Sequence, residues 1–324
     1  EKRKINWEYK CLYLNNIKRF KILEERIVKW YNEFTGVYTL VHIESGAIMD
    51  KDLTYQIKEL KKEKNAIILA HFYQPPEIQE LADAVGDSYY LSEIARDCKE
   101  EVVVFCGVRF MGESAKILSP EKTVLMPVSN AGCAMADMVD EEGVIKLKQQ
   151  YPNALVVCYI NSTAKVKAHC DVSVTSSSAI KILENIDNKE IIFLPDKNLG
   201  GYIAEQFPDK NFIFWDGYCK YHNNIRAEEI IELKDKYKNA EVLVHPECKK
   251  EIRDLGDYVG STSGIIKYAT NSKNKDFIIA TEEGILHELK KNNPNKNFYI
   301  PGGKILCTDM KKTTLENLYS TLKN

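Results

Sequence analysis

The chain has no apolar run of about 18 residues, the length a helix needs to cross a bilayer, so no membrane-spanning helix is expected. It also lacks a surplus of either charge: 45 basic residues against 47 acidic ones leave a formal net charge of −2. Without a basic excess there is no electrostatic reason to expect nucleic acid or an anionic membrane as partner, while small acidic substrates remain open. No G-x-G-x-x-G occurs, and the one phosphate-loop frame, GVRFMGES at 107–114, carries Glu113 where the lysine would stand. A carboxylate there repels phosphate, so nucleotide binding is disfavoured. The opening EKRKINWEYKCLYLNN has no cationic segment followed by an apolar stretch and a cleavage site, which argues against a secretory signal. The expected location is therefore the cytoplasm, or the plastid stroma in a plant or alga. The nine cysteines lack the tight spacing of a disulfide scaffold, so reduced thiols are expected, some of them holding metal.

What is present is a repeat. ELKKEKNAIILAH (59–71), KLKQQYPNALVVCY (146–159) and ELKDKYKNAEVLVH (232–245) each read as the end of a lysine-rich helix, an Asn-Ala turn and a β-branched strand. Asn65 and Asn153 are 88 residues apart, and Asn153 and Asn239 are 86 apart. His71, Tyr159 and His245 close the three strands, and 17 residues later come Ser88, Ser176 and Thr262, each ahead of a helical pattern. Further strands follow at 101–107, 190–196 and 276–282, with edge strands such as NFIFW (211–215) beyond them. Parallel strands buried on both faces read as continuous apolar runs joined by helices, so each copy is expected to be a three-layer αβα unit. Three small units gain by packing together around a pseudo-threefold axis, with the carboxyl ends of their strands facing one cavity. The expected boundaries are 1–51 for a helical extension, then 52–135, 136–221 and 222–324, the last with a C-terminal helix. In the extension, NNIKRFKILEERIVKWYNEF suggests one basic amphipathic helix.

Cys133, Cys219 and Cys307 recur at the repeat period, 86 and 88 residues apart, each with glycine one to four residues before it. Three such turns can bring three thiolates to one point and leave a metal centre one open position, as at an iron–sulfur cluster. Two other readings stay open at this level. The thiols could be small buried hydrophobes, or Cys219, His222, His245 and Cys248 could assemble a tetrahedral zinc site.

The motifs AHFYQPPEIQELADAVGDS, YINST, TSSSA, PDKNLG, VHPEC, GST and CTDMKKTTLE, in this order over about residues 52–324, resemble the quinolinate synthase (NadA) family. The resemblance implies three Rossmann-like domains around a [4Fe–4S] cluster held by Cys133, Cys219 and Cys307. It implies condensation of iminosuccinate with dihydroxyacetone phosphate to quinolinate, with loss of phosphate and water, in NAD biosynthesis. The iminosuccinate would come from an aspartate oxidase or dehydrogenase. Carried over motif by motif, the substrate-binding residues are His71, Ser88, Tyr159, Asn161, Ser176, His245, Glu247 and Thr262. Glu247 is the expected general base and Tyr73 a proton relay, with His71, Tyr159 and His245 completing the catalytic set. Hydroxyls and amides at the helix starts suit carboxylate or phosphate. An iron–sulfur electron carrier and a zinc-stabilised binding module are the competing functions.

Overall fold

The computed structural model describes residues 41–324. Residues 1–40, and with them Cys11 and the expected basic amphipathic helix, lie outside the described residues. Residues Thr54–Asn324 form one compact unit. It holds twelve strands: β1 Ala66–His71, β2 Ala84–Gly86, β3 Val102–Cys106, β4 Thr123–Leu125, β5 Leu155–Tyr159, β6 Val172–Val174, β7 Glu190–Leu194, β8 Asn211–Phe214, β9 Glu241–Val244, β10 Tyr258–Val259, β11 Asp276–Ala280 and β12 Asn297–Tyr299. They form three separate four-stranded sheets of order 2-1-3-4, 6-5-7-8 and 10-9-11-12, with every pairing parallel. Helices alternate with the strands throughout, so the expected αβα class is what the chain adopts. No helix among the described residues is long and apolar enough to cross a membrane.

The short strands β2, β6 and β10 were not foreseen. Two or three residues are too few for an alternation to show, and their pairing is imposed by the neighbouring strand rather than by their own pattern. A copied carboxylate places each of them. Asp83, Asp171 and Asp257 sit at the approach to these strands and accept from the amides of Ile68, Val156 and Val242, each at 2.8 Å. Lys61, Lys148 and Lys234, from the three preceding helices, pair with the same carboxylates.

A second copied device closes the helices that follow. Lys122 donates to the carbonyls of Ala95 (2.8 Å) and Cys98 (2.6 Å), Lys210 to those of Ile186 and Asn188, and Lys296 to those of Ala269 and Ser272. Carbonyls at a helix C-terminus have no partner within the helix, and in the first and third units a cation there satisfies them and opposes the helix dipole; in the second, where the helix ends at Leu183, Lys210 ties down the loop just beyond it. The core of each unit lies between sheet and helices. Fully buried Phe105, Phe193 and Phe277 stand on the central strands β3, β7 and β11, and burying such a ring contributes about 1.5–3 kcal/mol. With strand starts and helix ends pinned in this way, the carboxyl ends of the strands are left to carry chemistry.

Candidate active site and metal centre

One cavity gathers the residues singled out from the sequence. His71, Tyr73, Ser88, Tyr159, Asn161, Ser176, His245, Glu247 and Thr262 all line it, together with Cys133, Cys219 and Cys307. Counted out to solvent at its mouth it encloses about 840 Å³.

The cysteine loops are held by one repeated contact. The amides of Arg109, Lys197 and Glu283 donate to the carbonyls of Ala131, Gly217 and Ile305, at 2.8, 2.9 and 2.8 Å, each acceptor lying two residues before its cysteine. The glycines near the thiols play different parts. Gly302 and Gly303, in the third loop, have φ of 64° and 76°, the region where glycine is favoured. Gly217 serves a different need, since a Cβ there would lie 2.4 Å from the Pro195 carbonyl oxygen.

Burial raises all three thiols above their ordinary value. Cys133 is pushed up to about 12 by burial, with the charges of Glu247 and Cys307 adding to it. Cys219 is pushed well up by burial, then by Glu247 and Cys133, and Cys307 is raised by burial and by Glu282. Three partly buried sulfurs that oppose one another's ionisation need a cation before they can be thiolates together, and that donor set fits a thiophilic metal or iron–sulfur group. The zinc quartet does not assemble: Cys248 is fully buried and its Sγ donates to the Ala280 carbonyl at 3.5 Å, away from the cavity. Cys219, His222 and Glu247 do place ligand atoms within 4.8 Å of one another. There, however, His222 Nδ1 is already 2.8 Å from Glu247 Oε2.

A buried hydrogen-bonded chain runs along the cavity wall. Tyr159 Oη donates to Glu247 Oε1 at 2.7 Å. The other Glu247 oxygen takes His222 Nδ1, whose ring Nε2 lies 2.8 Å from Thr281 Oγ1. Thr281 Oγ1 is 2.8 Å from Tyr73 Oη, which also meets Thr262 Oγ1 at 2.9 Å. A carboxylate on Nδ1 sets the tautomer, leaving Nε2 to accept from the threonine hydroxyl. Burial pushes the Glu247 carboxyl up, but the opposing pull of His222, then His245, and the two hydrogen bonds prevail, so it rests below the ordinary carboxylate value. Tyr73 and Tyr159 are raised well above theirs, by burial first and then by Glu247. His222 was singled out from the sequence only as a zinc ligand, and Thr281 not at all. Thr281 directly follows the apolar strand β11, with nothing in its neighbourhood to mark it.

His71 and His245 share a conformation. Each Nδ1 accepts the amide two residues on, Tyr73 at 3.1 Å and Glu247 at 3.3 Å. The amide fixes Nδ1 as the acceptor, so the neutral ring carries its proton on Nε2. Burial lowers both to about 3; for His71 the charges of Lys311 and His245 add to this, and for His245 Glu247 pulls the other way. Both are therefore neutral donors at ordinary pH. The hydroxyls ahead of the helices are not their caps. Asp87 Oδ1 takes the Tyr90 amide (3.0 Å) and Ser261 Oγ that of Gly264 (3.2 Å), while the helix Ala179–Leu183 has no side-chain cap and Thr175 Oγ1 takes the Ser178 amide (3.2 Å) in the turn before it. Ser88 and Thr262 are instead the first residues of the helices Ser88–Asp97 and Thr262–Asn271, and with Ser176 they face the cavity. Glu113, at the lysine position of the phosphate-loop frame, accepts the Ala164 amide at 2.7 Å and so joins the first unit to the second.

The profile of the family described as Quinolinate synthetase A protein matches residues 55–324. The quinolinate synthase of Clostridium perfringens strain 13 is 62% identical over 271 residues, which cover 84% of this chain and 90% of that protein. That of Clostridium novyi strain NT is 57% identical over 277 residues, 85% of this chain and 92% of the relative. That of Sulfurihydrogenibium sp. strain YO3AOP1 is 52% identical over 279 residues, 85% and 91% respectively. With a family match across most of its length and relatives more than half identical along nearly the whole of theirs, the chain belongs to the quinolinate synthase family of enzymes.

Proposed function

We propose that the chain makes quinolinate for NAD biosynthesis by condensing iminosuccinate with dihydroxyacetone phosphate, releasing phosphate and water. The observation that carries this reading is the meeting, in one cavity, of three thiols from three sheets with a buried acid–base chain. In this reading the three sheets mark domains 52–135, 136–221 and 222–324. Cys133, Cys219 and Cys307 hold a [4Fe–4S] cluster, which supplies, when bound, a Lewis-acidic iron for a substrate oxygen.

The chain's own residues do the rest. His71 and His245 present Nε2–H to carboxylate or phosphate oxygens without bringing a charge of their own. The amides at the starts of Ser88–Asp97 and Thr262–Asn271 add further donors, so anions are held without a cationic patch. The acid–base work runs along the buried chain. The Tyr73 proton moves to Thr281 as the Thr281 proton moves to His222 Nε2, and Glu247 stabilises the imidazolium that results. Glu247 thus acts as the base through His222, because its lowered affinity for a proton makes it a better stabiliser of charge than an acceptor. Tyr159 holds the second carboxylate oxygen, and Asn161 and Ser176 offer polar contacts across the cavity. Iminosuccinate would be supplied by an aspartate oxidase or dehydrogenase, and the compartment would be the cytoplasm.

The test is an anaerobic assay for quinolinate from the two substrates, with iron and sulfide counted on the same sample. Wild type should carry about four of each and form product, and Cys133→Ala should lose both properties. Stoichiometric zinc in place of iron, or full activity in Cys133→Ala, would overturn the reading. An iron–sulfur electron carrier would hold the cluster and form no quinolinate.

A further inference from the structure

Two buried carboxylates stand behind the cysteine loops, one repeat period apart. Asp196 lies two residues beyond β7 and Glu282 two residues beyond β11, with exposures of 0% and 1%. Each reaches the amide of the cysteine in its own unit. Asp196 Oδ2 accepts from Cys219 N at 3.3 Å, and Glu282 Oε1 accepts from Cys307 N at 3.0 Å. Their remaining capacity is used as well: Asp196 Oδ1 takes the amides of Asn198 (2.8 Å) and Leu199 (3.0 Å), while Glu282 Oε2 takes that of Gly284 (2.7 Å). Lys311 pairs with Glu282 at 2.8 Å. In the first unit the same position is Val108, which offers no acceptor to Cys133.

Capping a helix or joining a loop does not require a charge. Ser261 and Thr175 perform such tasks elsewhere in this chain with hydroxyls. A buried carboxylate costs several kcal/mol of desolvation unless hydrogen bonds and nearby opposite charge offset it. Placing two of them beside thiols that already oppose one another's ionisation worsens the local electrostatics of the metal-free chain. The arrangement becomes favourable once a cationic centre sits among the sulfurs, in the way that outer carboxylates orient the ligands of metal sites.

We infer that Asp196 and Glu282 are positioning residues that aim Cys219 and Cys307 at a shared metal group and hold its reduction potential down, whereas the Cys133 arm, tied by Arg109 and Lys312 to the carbonyls of Ser129 and Asn130, has no carboxylate at the equivalent position. The inference deepens the proposed function and rests on its cluster reading.

The experiment uses the full chain reconstituted anaerobically with iron and sulfide. Asp196→Asn and Glu282→Gln keep the shape, remove the charge and turn one accepting oxygen into a donor, and Asp83→Asn, the same change at a carboxylate that holds the Ile68 amide and does not line the cavity, is the control. Iron and sulfide per chain, the rate of iron loss to a chelator and the midpoint potential are measured for each. Iron retention should weaken by about 10–100-fold in the two test variants, the usual effect of removing an outer partner of a metal ligand. Their midpoint potential should move to more positive values, and the control should change in neither respect. A role confined to stability would alter unfolding without moving the potential. If Asp196→Asn does not yield soluble protein, Glu282→Gln decides, because both carboxylates are assigned the same task. A loaded wild type with both variants at its retention and potential overturns this inference and leaves the cluster reading standing. A wild type that takes up no iron and sulfide overturns both.

Discussion

At the end of the sheets where strands begin, the three units are copies in detail. Lys61, Lys148 and Lys234 pair with Asp83, Asp171 and Asp257, and Lys122, Lys210 and Lys296 meet carbonyls at or just beyond the ends of equivalent helices. At the other end, equivalent positions do not hold one residue three times: His71, Tyr159 and His245; Tyr73, Asn161 and Glu247; Gly107, Pro195 and Thr281; Val108, Asp196 and Glu282. The difference has a physical cause. Starting a strand and finishing a helix pose the same problem in every unit, so one solution serves three times. Three edges facing one cavity pose a single asymmetric problem, because a base, a donor and a stabiliser of charge must be distinct groups. Only the cysteines keep threefold identity there, as fits a group that itself presents equivalent ligand positions.

The comparison breaks most sharply at Glu247. Glu247→Gln keeps the bulk and one oxygen, so the cluster and substrate binding should survive while turnover falls by about 10²–10⁴-fold, the usual contribution of positioned acid–base groups. Wild-type turnover in that variant would remove Glu247 from the chemistry. Thr281→Val tests the next link, cutting the path from Tyr73 to His222 with little change of shape. The expected loss in kcat is about 10–100-fold with KM nearly unchanged, smaller because a water can partly restore the path. An unchanged kcat would mean that the proton does not travel by this route.

The contrast between the two ends also explains what could be read from sequence. The strands that carry β-branched runs, the repeat period and the three cysteines were legible because periodicity and recurrence are properties of the letters themselves. His71, Tyr159 and His245 were legible because they close those strands. The short strand β6 was not, since VSV gains its pairing only from β5. His222 and Thr281 were hidden for a related reason: their chemistry consists of contacts with Glu247 and Tyr73, from other loops, 25 and 208 residues away in the chain. Their counterparts in the other units are Ala136 and Met310, and Gly107 and Pro195, so no recurrence pointed to them. The lysine caps were hidden differently. Lys122, Lys210 and Lys296 keep the period but sit among many surface lysines, and only the carbonyls they meet set them apart.

A smaller effect separates the ends by pH. Burial, then the charges of Lys311 and His245, hold the folded His71 ring at about 3, with Glu247 pulling upward, against an ordinary value near 6.5. Above that ordinary value neither folded nor unfolded chain binds the proton, and stability is unaffected. Below it the unfolded chain takes up a proton that the folded one refuses, so stability drains away between about pH 6.5 and 3, by up to about 1.4 kcal/mol per pH unit. His71→Gln should therefore flatten the acid limb of stability measured by urea unfolding of the metal-free chain. A limb of unchanged slope would place His71 in contact with water rather than in the dry cavity wall.

The smallest effect belongs to the copied end. Lys210→Met keeps the stem and deletes the ammonium that meets the carbonyls of Ile186 and Asn188, and losing such a charge-assisted contact costs about 1–3 kcal/mol. Lys122→Met and Lys296→Met remove the same device from the other two units. The three sites are separate and share no partner, so their losses should be similar and should add within about 0.5 kcal/mol in the triple variant. Turnover per loaded cluster should stay at the wild-type level in each, since none of the three lysines lines the cavity. The outcome to look for is the pattern: three nearly equal losses of stability here, against Tyr73, Asn161 and Glu247 variants whose effects on turnover differ by orders of magnitude. Three unequal losses, or a fall in turnover from any one lysine, would show that the copied end takes part in the chemistry and that the division between the two ends is drawn in the wrong place.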